Sequence, residues 1–125
     1  MRISSSTRVV HLIQPDLVEI LYFDYVEMNN SAVLNDHHLY LKHFSDKKYK
    51  KLIIHGKYGS STLECRRLMA QLNKQNEKFI IAEAMVVHNE VQKIVIMMYK
   101  FFNKSNYPIR IFTKREQALE WLESI

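Results

Sequence analysis

The chain has 125 residues, of which 47% are hydrophobic and 25% charged, and a formal net charge of +5. A chain of this length suits one domain burying roughly two-thirds of its unfolded surface, and the composition excludes extended disorder, low-complexity tracts and solenoid repeats. The lone Cys65 excludes an internal disulfide and a cysteine-rich zinc site and points to a reducing, cytoplasmic compartment, while lysines and arginines scattered among acidic residues argue against a nucleic-acid partner.

Residues 1–7 (MRISSST) read as a flexible tail of a single domain over 1–125, without the continuous apolar core of a secretory signal. Arg8 to Gln14 and Leu17 to Tyr25 are rich in β-branched and aromatic residues, and Pro15-Asp16 between them marks a turn, which predicts an antiparallel hairpin. Ser31 then caps a helix ending near Lys47, with Leu34, His37, Leu41 and Phe44 at helical spacing. The run DKKYKK (Asp46 to Lys51) is a solvated loop before an apolar strand, Leu52 to His55.

Gly56 and Gly59 follow that strand, and Ser61-x-x-Glu64 has the form of a capping box. It opens a helix whose Cys65, Leu68, Met69 and Leu72 make an apolar stripe and whose C-terminal break is Asn76. Phe79 to Val87 (FIIAEAMVV) is a nearly continuous apolar run with one charge, the pattern of a parallel strand inside a sheet. Asn89-x-x-Gln92 is a second capping box, for a helix with Val91, Ile94, Val95, Met98 and Phe102 expected on its core face. The apolar stretch IVIMMYKFF is about half the roughly 20 residues a membrane span needs, so none is expected. A strand at Ile109 to Phe112 and a helix opened by Thr113-x-x-Glu116, with Ala118, Trp121, Leu122 and Ile125 on one face, close the chain.

The order β-β-α-β-α-β-α-β-α predicts an α/β fold with a mixed, mostly parallel five-stranded sheet and four helices. That order resembles the STAS fold of sulfate transporters and anti-sigma factor antagonists. The segments IAEAMVV (Ile81 to Val87), NKSNYPIRIFT (Asn103 to Thr113) and ALEWL (Ala118 to Leu122) resemble more closely the small, uncharacterised bacterial STAS-like proteins related to the sporulation anti-sigma antagonist. The resemblance implies a cytoplasmic interaction or regulatory domain without catalytic activity. In phosphorylated antagonists the switch is a serine just after an aspartate where the third strand meets a helix. Ser60 and Ser61 hold a similar place, although His55 stands where the strand would end in aspartate and HGKYG adds loop before the serines.

Two candidate surfaces follow. Ser60, Ser61 and Thr62 at a helix start form a candidate phosphorylation or anion site, beside the simpler reading that they cap the helix. The loop lacks the G-K-[ST] ending of a nucleotide-phosphate loop. Ile96, Met97, Tyr99 and Phe101 put apolar side chains outside the expected core stripe of the 91–102 helix, so that face needs cover: a second subunit in a homodimer, an unknown protein partner, or, as the alternative function, a small apolar ligand between that helix and the sheet.

Other groups offer less. His37 and His38 diverge on a helix, and no H-x-x-x-H pair occurs, so no metal site is expected. His55 and His88 both fall at the C-terminal ends of parallel strands, where open sheets bind ligands, and they could converge with Thr113. Arg110, Lys114 and Arg115 could form an anion-binding corner or a solvated pair. No nucleophile elbow, carboxylate pair or dinucleotide fingerprint is present, and neither catalysis nor a cofactor is expected.

Overall fold

A computed structural model describes residues 1–44, 47–102 and 104–125, apart from the side chains of Tyr99, Phe101 and Phe102. In chain order the elements are β1 (Arg2–Ser4), β2 (Arg8–Gln14), β3 (Leu17–Tyr22), β4 (Glu27–Met28), α1 (Asn30–Phe44), β5 (Tyr49–Ile54) and β6 (Ser60–Ser61). Then come α2 (Leu63–Asn76), a 3-10 turn over Glu77–Phe79, β7 (Ile80–Val86), α3 (Glu90–Phe102), β8 (Ile109–Phe112) and α4 (Arg115–Glu123).

The main sheet has the order β1-β2-β3-β5-β7-β8. The turn at Pro15-Asp16 folds β2 back on β3 antiparallel, and β3, β5, β7 and β8 run parallel, as strands separated by helices must. The sheet is six-stranded where five strands were expected, because Arg2–Ser4 is not tail but an edge strand paired antiparallel with Val9 to His11. Its start is held where the Leu12 N–H donates to the Met1 carbonyl at 3.0 Å. Three residues are too few to display an alternating pattern. A second, two-stranded parallel ladder joins β4 to β6, with Glu27 opposite Ser60 and Met28 opposite Ser61.

The strands bury both faces. On one, Leu17, Leu52, Ala82, Ala84 and Val86 pack against Ala118 and Leu122 of α4, the two small alanines of β7 letting that helix sit close. On the other, Val18, Ile20, Ile53 and Met85 meet Phe44 of α1, Ile96 of α3, and Tyr49 and Tyr107. Burial on both sides explains why β7 reads as a continuous apolar run.

The faces of α1 and α3 differ from expectation. On α1, Leu34 and Leu41 are exposed, whereas Val33, Asp36 and Phe44 are buried. Asp36 turns inward because Thr7 Oγ1 donates to its Oδ2 at 2.5 Å and Arg8 Nε lies 3.7 Å away. On α3, Val91, Ile94, Val95 and Met98 were expected in the core and are all exposed, while Gln92, Ile96 and Lys100 face the protein.

Helix starts also shift. Thr62, not Ser61, caps α2, its Oγ1 accepting from the Cys65 N–H at 3.0 Å, and Glu64 instead accepts from Asn30 Nδ2. Asn29 rather than Ser31 caps α1 through Ala32 N–H. Asn89 caps α3 through Gln92 N–H as its box predicted, but the Gln92 amide accepts from His88 N–H, one residue beyond the box. At α4 the cap position is Lys114, with no side-chain cap bond, so the Thr113 box does not form.

Candidate functional site

Three loops meet at the C-terminal ends of β3, β5 and β7. Gly56 allows their closest approach: a Cβ there would lie 2.1 Å from the Phe23 carbonyl oxygen. Around it, Gln92 Nε2 donates to the Gly56 carbonyl at 3.3 Å and Lys57 N–H donates to Asp24 Oδ1 at 2.7 Å. The predicted serines hang from this junction. Ser60 is exposed, Ser61 accepts from Arg66 Nη1 at both its carbonyl and its hydroxyl, and Thr62 Oγ1 is taken by its cap. The geometry assigns the helix-capping role to one of these three residues and ties the second to Arg66, leaving Ser60 the most open.

His55 and His88 do come together, but not as a pair of facing rings. His88 Nε2 donates to the backbone carbonyl of His55 at 2.6 Å, while the His55 ring lies near-parallel to that of Tyr22, with centroids 6.2 Å apart. Burial lowers the His55 pKa to about 4, with nearby Glu83 opposing the shift and Lys100 adding to it, so the ring is neutral at ordinary pH. The His55 Nε2 is buried and has no hydrogen-bond partner among the described residues. Among the described residues, no three His, Cys, Asp or Glu side chains gather into a metal-binding group.

Beside the glycine junction stands a pair that periodicity does not reveal. Tyr25 and Tyr58 both have left-handed backbone, with φ of 60° and 54°, and their exposed rings stack 5.3 Å apart. Neither glycine of the loop has positive φ. Bulky residues seldom adopt that conformation, and ring stacking offsets part of its cost.

Beneath α3 lies a buried charge cluster. Glu83 on β7 is 3% exposed at its side chain, with Lys51 Nζ 3.4 Å from one carboxylate oxygen and Lys100 Nζ 3.4 Å from the other. Burial by itself would raise the Glu83 carboxyl, but the two ammonium groups outweigh it and hold the pKa below the usual range. The signal was visible: Glu83 is the single charge in FIIAEAMVV, and a charge in an interior strand requires partners of opposite sign. What the sequence did not disclose is that a lysine of α3 supplies one of them.

This seam is where the alternative reading places an apolar ligand, and it holds an ion triad beside Ile96. Of the expected outer surface, Ile96 is instead packed against the core, Met97 is exposed, and the side chains of Tyr99 and Phe101 lie outside the described residues. This placement follows from the rotation of α3. With Lys100 drawn to Glu83, the apolar stripe turns to solvent, where Val91 is 71%, Ile94 57%, Val95 61%, Met97 53% and Met98 59% exposed.

Elsewhere, a small cavity of about 20 Å³ between α1 and the sheet is lined by Arg8, Asp36 and Tyr40 among apolar residues. At the proposed cationic corner, Arg115 forms an ion pair with Glu19, both its Nε and Nη2 lying 2.7 Å from Oε2, and Arg110 lies over the rings of Phe112 and Trp121. Those two arginines are engaged in tying α4 to β3 and covering aromatic rings. No described helix is long and apolar enough to cross a membrane.

A family model described as a domain of unknown function, DUF7793, matches residues 12–125. The chain belongs to the DUF7793 family. The match begins within β2 and takes in the remaining elements, so the ion triad and the exposed stripe of α3 both lie inside the DUF7793 domain. Among solved structures, a similar one is the crystal structure of an uncharacterized protein of the DUF3478 family with a SpoIIAA-like fold, from Shewanella loihica PV-4. It is 16% identical, the match covers 96% of this chain and 98% of that one, and the TM-score is 0.68. The DUF7793 chain therefore has a SpoIIAA-like, and so STAS-like, fold, as its order of elements implied. No curated protein matches it in sequence.

Proposed function

We propose that this DUF7793 protein is a non-enzymatic, cytoplasmic interaction module whose contact surface is the outward stripe of α3. The observation that carries the reading is the exposure of Val91, Ile94, Val95, Met97 and Met98, each more than half accessible on one helix. Isolated apolar residues on a surface are ordinary, but a contiguous apolar patch usually marks a contact site. Here the patch is maintained by the fold, since the ion pair between Lys100 and Glu83 keeps the opposite side of the helix against the sheet. Methionines at two of the positions suit a surface that adapts to a partner.

A contact role also agrees with the chemistry at the strand ends, where His88 is spent on a backbone carbonyl and the Thr62 hydroxyl on a helix cap. The test is photo-crosslinking in the native host from a reactive analogue placed at Met98, with a control at Glu120 on α4. Reproducible protein adducts from position 98 alone support the reading. Adducts from neither position, or equally from both, overturn it.

A further inference from the structure

The exposed stripe of α3 has a spacing that a second copy of the chain can match, with Met97 flanking it. Val91, Ile94, Val95 and Met98 are spaced by steps of three, one and three residues, a spacing that is the same read from either end. A two-fold axis perpendicular to the helix and passing between Ile94 and Val95 would set Val91 of one copy against Met98 of the other at both ends. Interfaces between identical chains about such an axis must be self-complementary in this way. We infer that the stripe pairs with the same stripe of a second copy, the two α3 helices running antiparallel. This rests on the reading of α3 as the contact surface and adds the identity of the partner.

The area is sufficient. Five large side chains more than half exposed present on the order of 500 Å² of apolar surface, near the upper end of what a monomer leaves open in one patch. Doubled across the axis this becomes on the order of 1,000 Å², the lower bound for a specific interface. Antiparallel alignment also sets each helix N-terminus beside the C-terminus of its neighbour, so the helix dipoles attract. An interface at that lower bound is expected to be weak enough to dissociate on dilution.

Sedimentation velocity of the full chain from about 1 to 100 µM reads this directly, with species at 15.0 kDa and at twice that mass. The expected result is a dimer that Ile94→Glu combined with Val95→Glu disperses, raising the dissociation constant at least about 100-fold while far-UV circular dichroism stays unchanged, because both sites are exposed. Register is read by mixing Val91→Cys with Met98→Cys chains under mild oxidation. Disulfides joining position 91 to position 98 should outnumber those joining 91 to 91, and buried Cys65 stays out of the exchange.

A preference for 91-to-91 disulfides overturns the antiparallel arrangement. A dimer indifferent to the glutamates overturns self-pairing through α3, and overturns the contact reading as well if crosslinking from position 98 yields no adducts. A monomer at 100 µM overturns self-pairing alone if crosslinking from position 98 still yields adducts of another protein, and overturns both readings if it yields none.

Discussion

Glu83 on β7 and Lys100 on α3 meet across the helix–sheet seam at 3.4 Å, on the same side of α3 as Gln92 and Ile96. Lys51 closes the other side of the same carboxylate at 3.4 Å. Removing one member of a buried ion cluster costs more than the cluster contributes, because the remaining charges stay desolvated without a counter-ion. Glu83→Gln keeps the volume but leaves two ammonium groups facing each other. It should lower unfolding free energy by about 3 kcal/mol, read from urea midpoints at constant slope. A loss under about 1 kcal/mol would mean that water reaches the lysines and that the triad does not hold α3 in place.

The two glycines of the 56–59 loop should respond oppositely. A methyl group at Gly56 meets the Phe23 carbonyl oxygen at 2.1 Å and its carbon at 2.8 Å, both backbone atoms that no rotamer change can move aside. Gly56→Ala should therefore cost at least about 2 kcal/mol. At Gly59 the nearest atom is 3.6 Å away and φ is not positive, so Gly59→Ala should be neutral or stabilise by about 0.5 kcal/mol through the unfolded chain. Thermal melts of the two variants decide it, and equal effects would show that the loop is not packed as described.

Capping of α2 separates neighbouring hydroxyls. Thr62→Ala removes the acceptor for the Cys65 N–H and should cost about 1 kcal/mol, whereas Ser61→Ala, whose hydroxyl only receives a 3.3 Å bond from Arg66, should cost a few tenths. If chemical denaturation gives the reverse order, Ser61 is the cap and the capping box at Ser61-x-x-Glu64 stands.

Acid should weaken the protein through His55. Its folded pKa of about 4 lies below the roughly 6.5 of the unfolded chain, so the unfolded state takes up the proton first. The contribution is whole above pH ~6.5 and is lost as pH falls toward 4, about 2 kcal/mol of it by pH ~5. His37, also lowered by burial, acts in the same sense. Wild type and His55→Gln compared by urea unfolding between about pH 7 and 5 should show a shallower decline in the variant. Parallel declines would mean that the ring is protonated in the folded state.

Much of this protein was determined by the sequence alone. The β-branched and aromatic runs around Pro15-Asp16, the apolar run of β7, the stripe of α2 and Ala118, Trp121 and Leu122 of α4 follow from local sequence, whereas Ile125 lies past the end of α4 and is exposed. The order of elements then restricted the topology to a mixed sheet with right-handed crossovers, and the STAS-like fold came from the resemblance of that order and of the C-terminal segments to a known family. The first strand escaped because three residues carry no readable pattern, and the caps slipped by a residue or two because several hydroxyl and amide side chains compete at each helix start.

Tertiary structure alone decided how α1 and α3 are rotated. Periodicity assumes that charge points to water, and in both helices a charged residue points inward instead: Asp36 to Thr7 and Arg8, and Lys100 to Glu83. Those partners lie 29, 28 and 17 residues away in sequence, beyond any local window. A buried charge left without a partner is costly, and in each helix the partner is reached only from the inner face. The exposed stripe of α3 lies opposite the side on which Gln92, Ile96 and Lys100 meet the protein, contacts that exist only once the chain is folded.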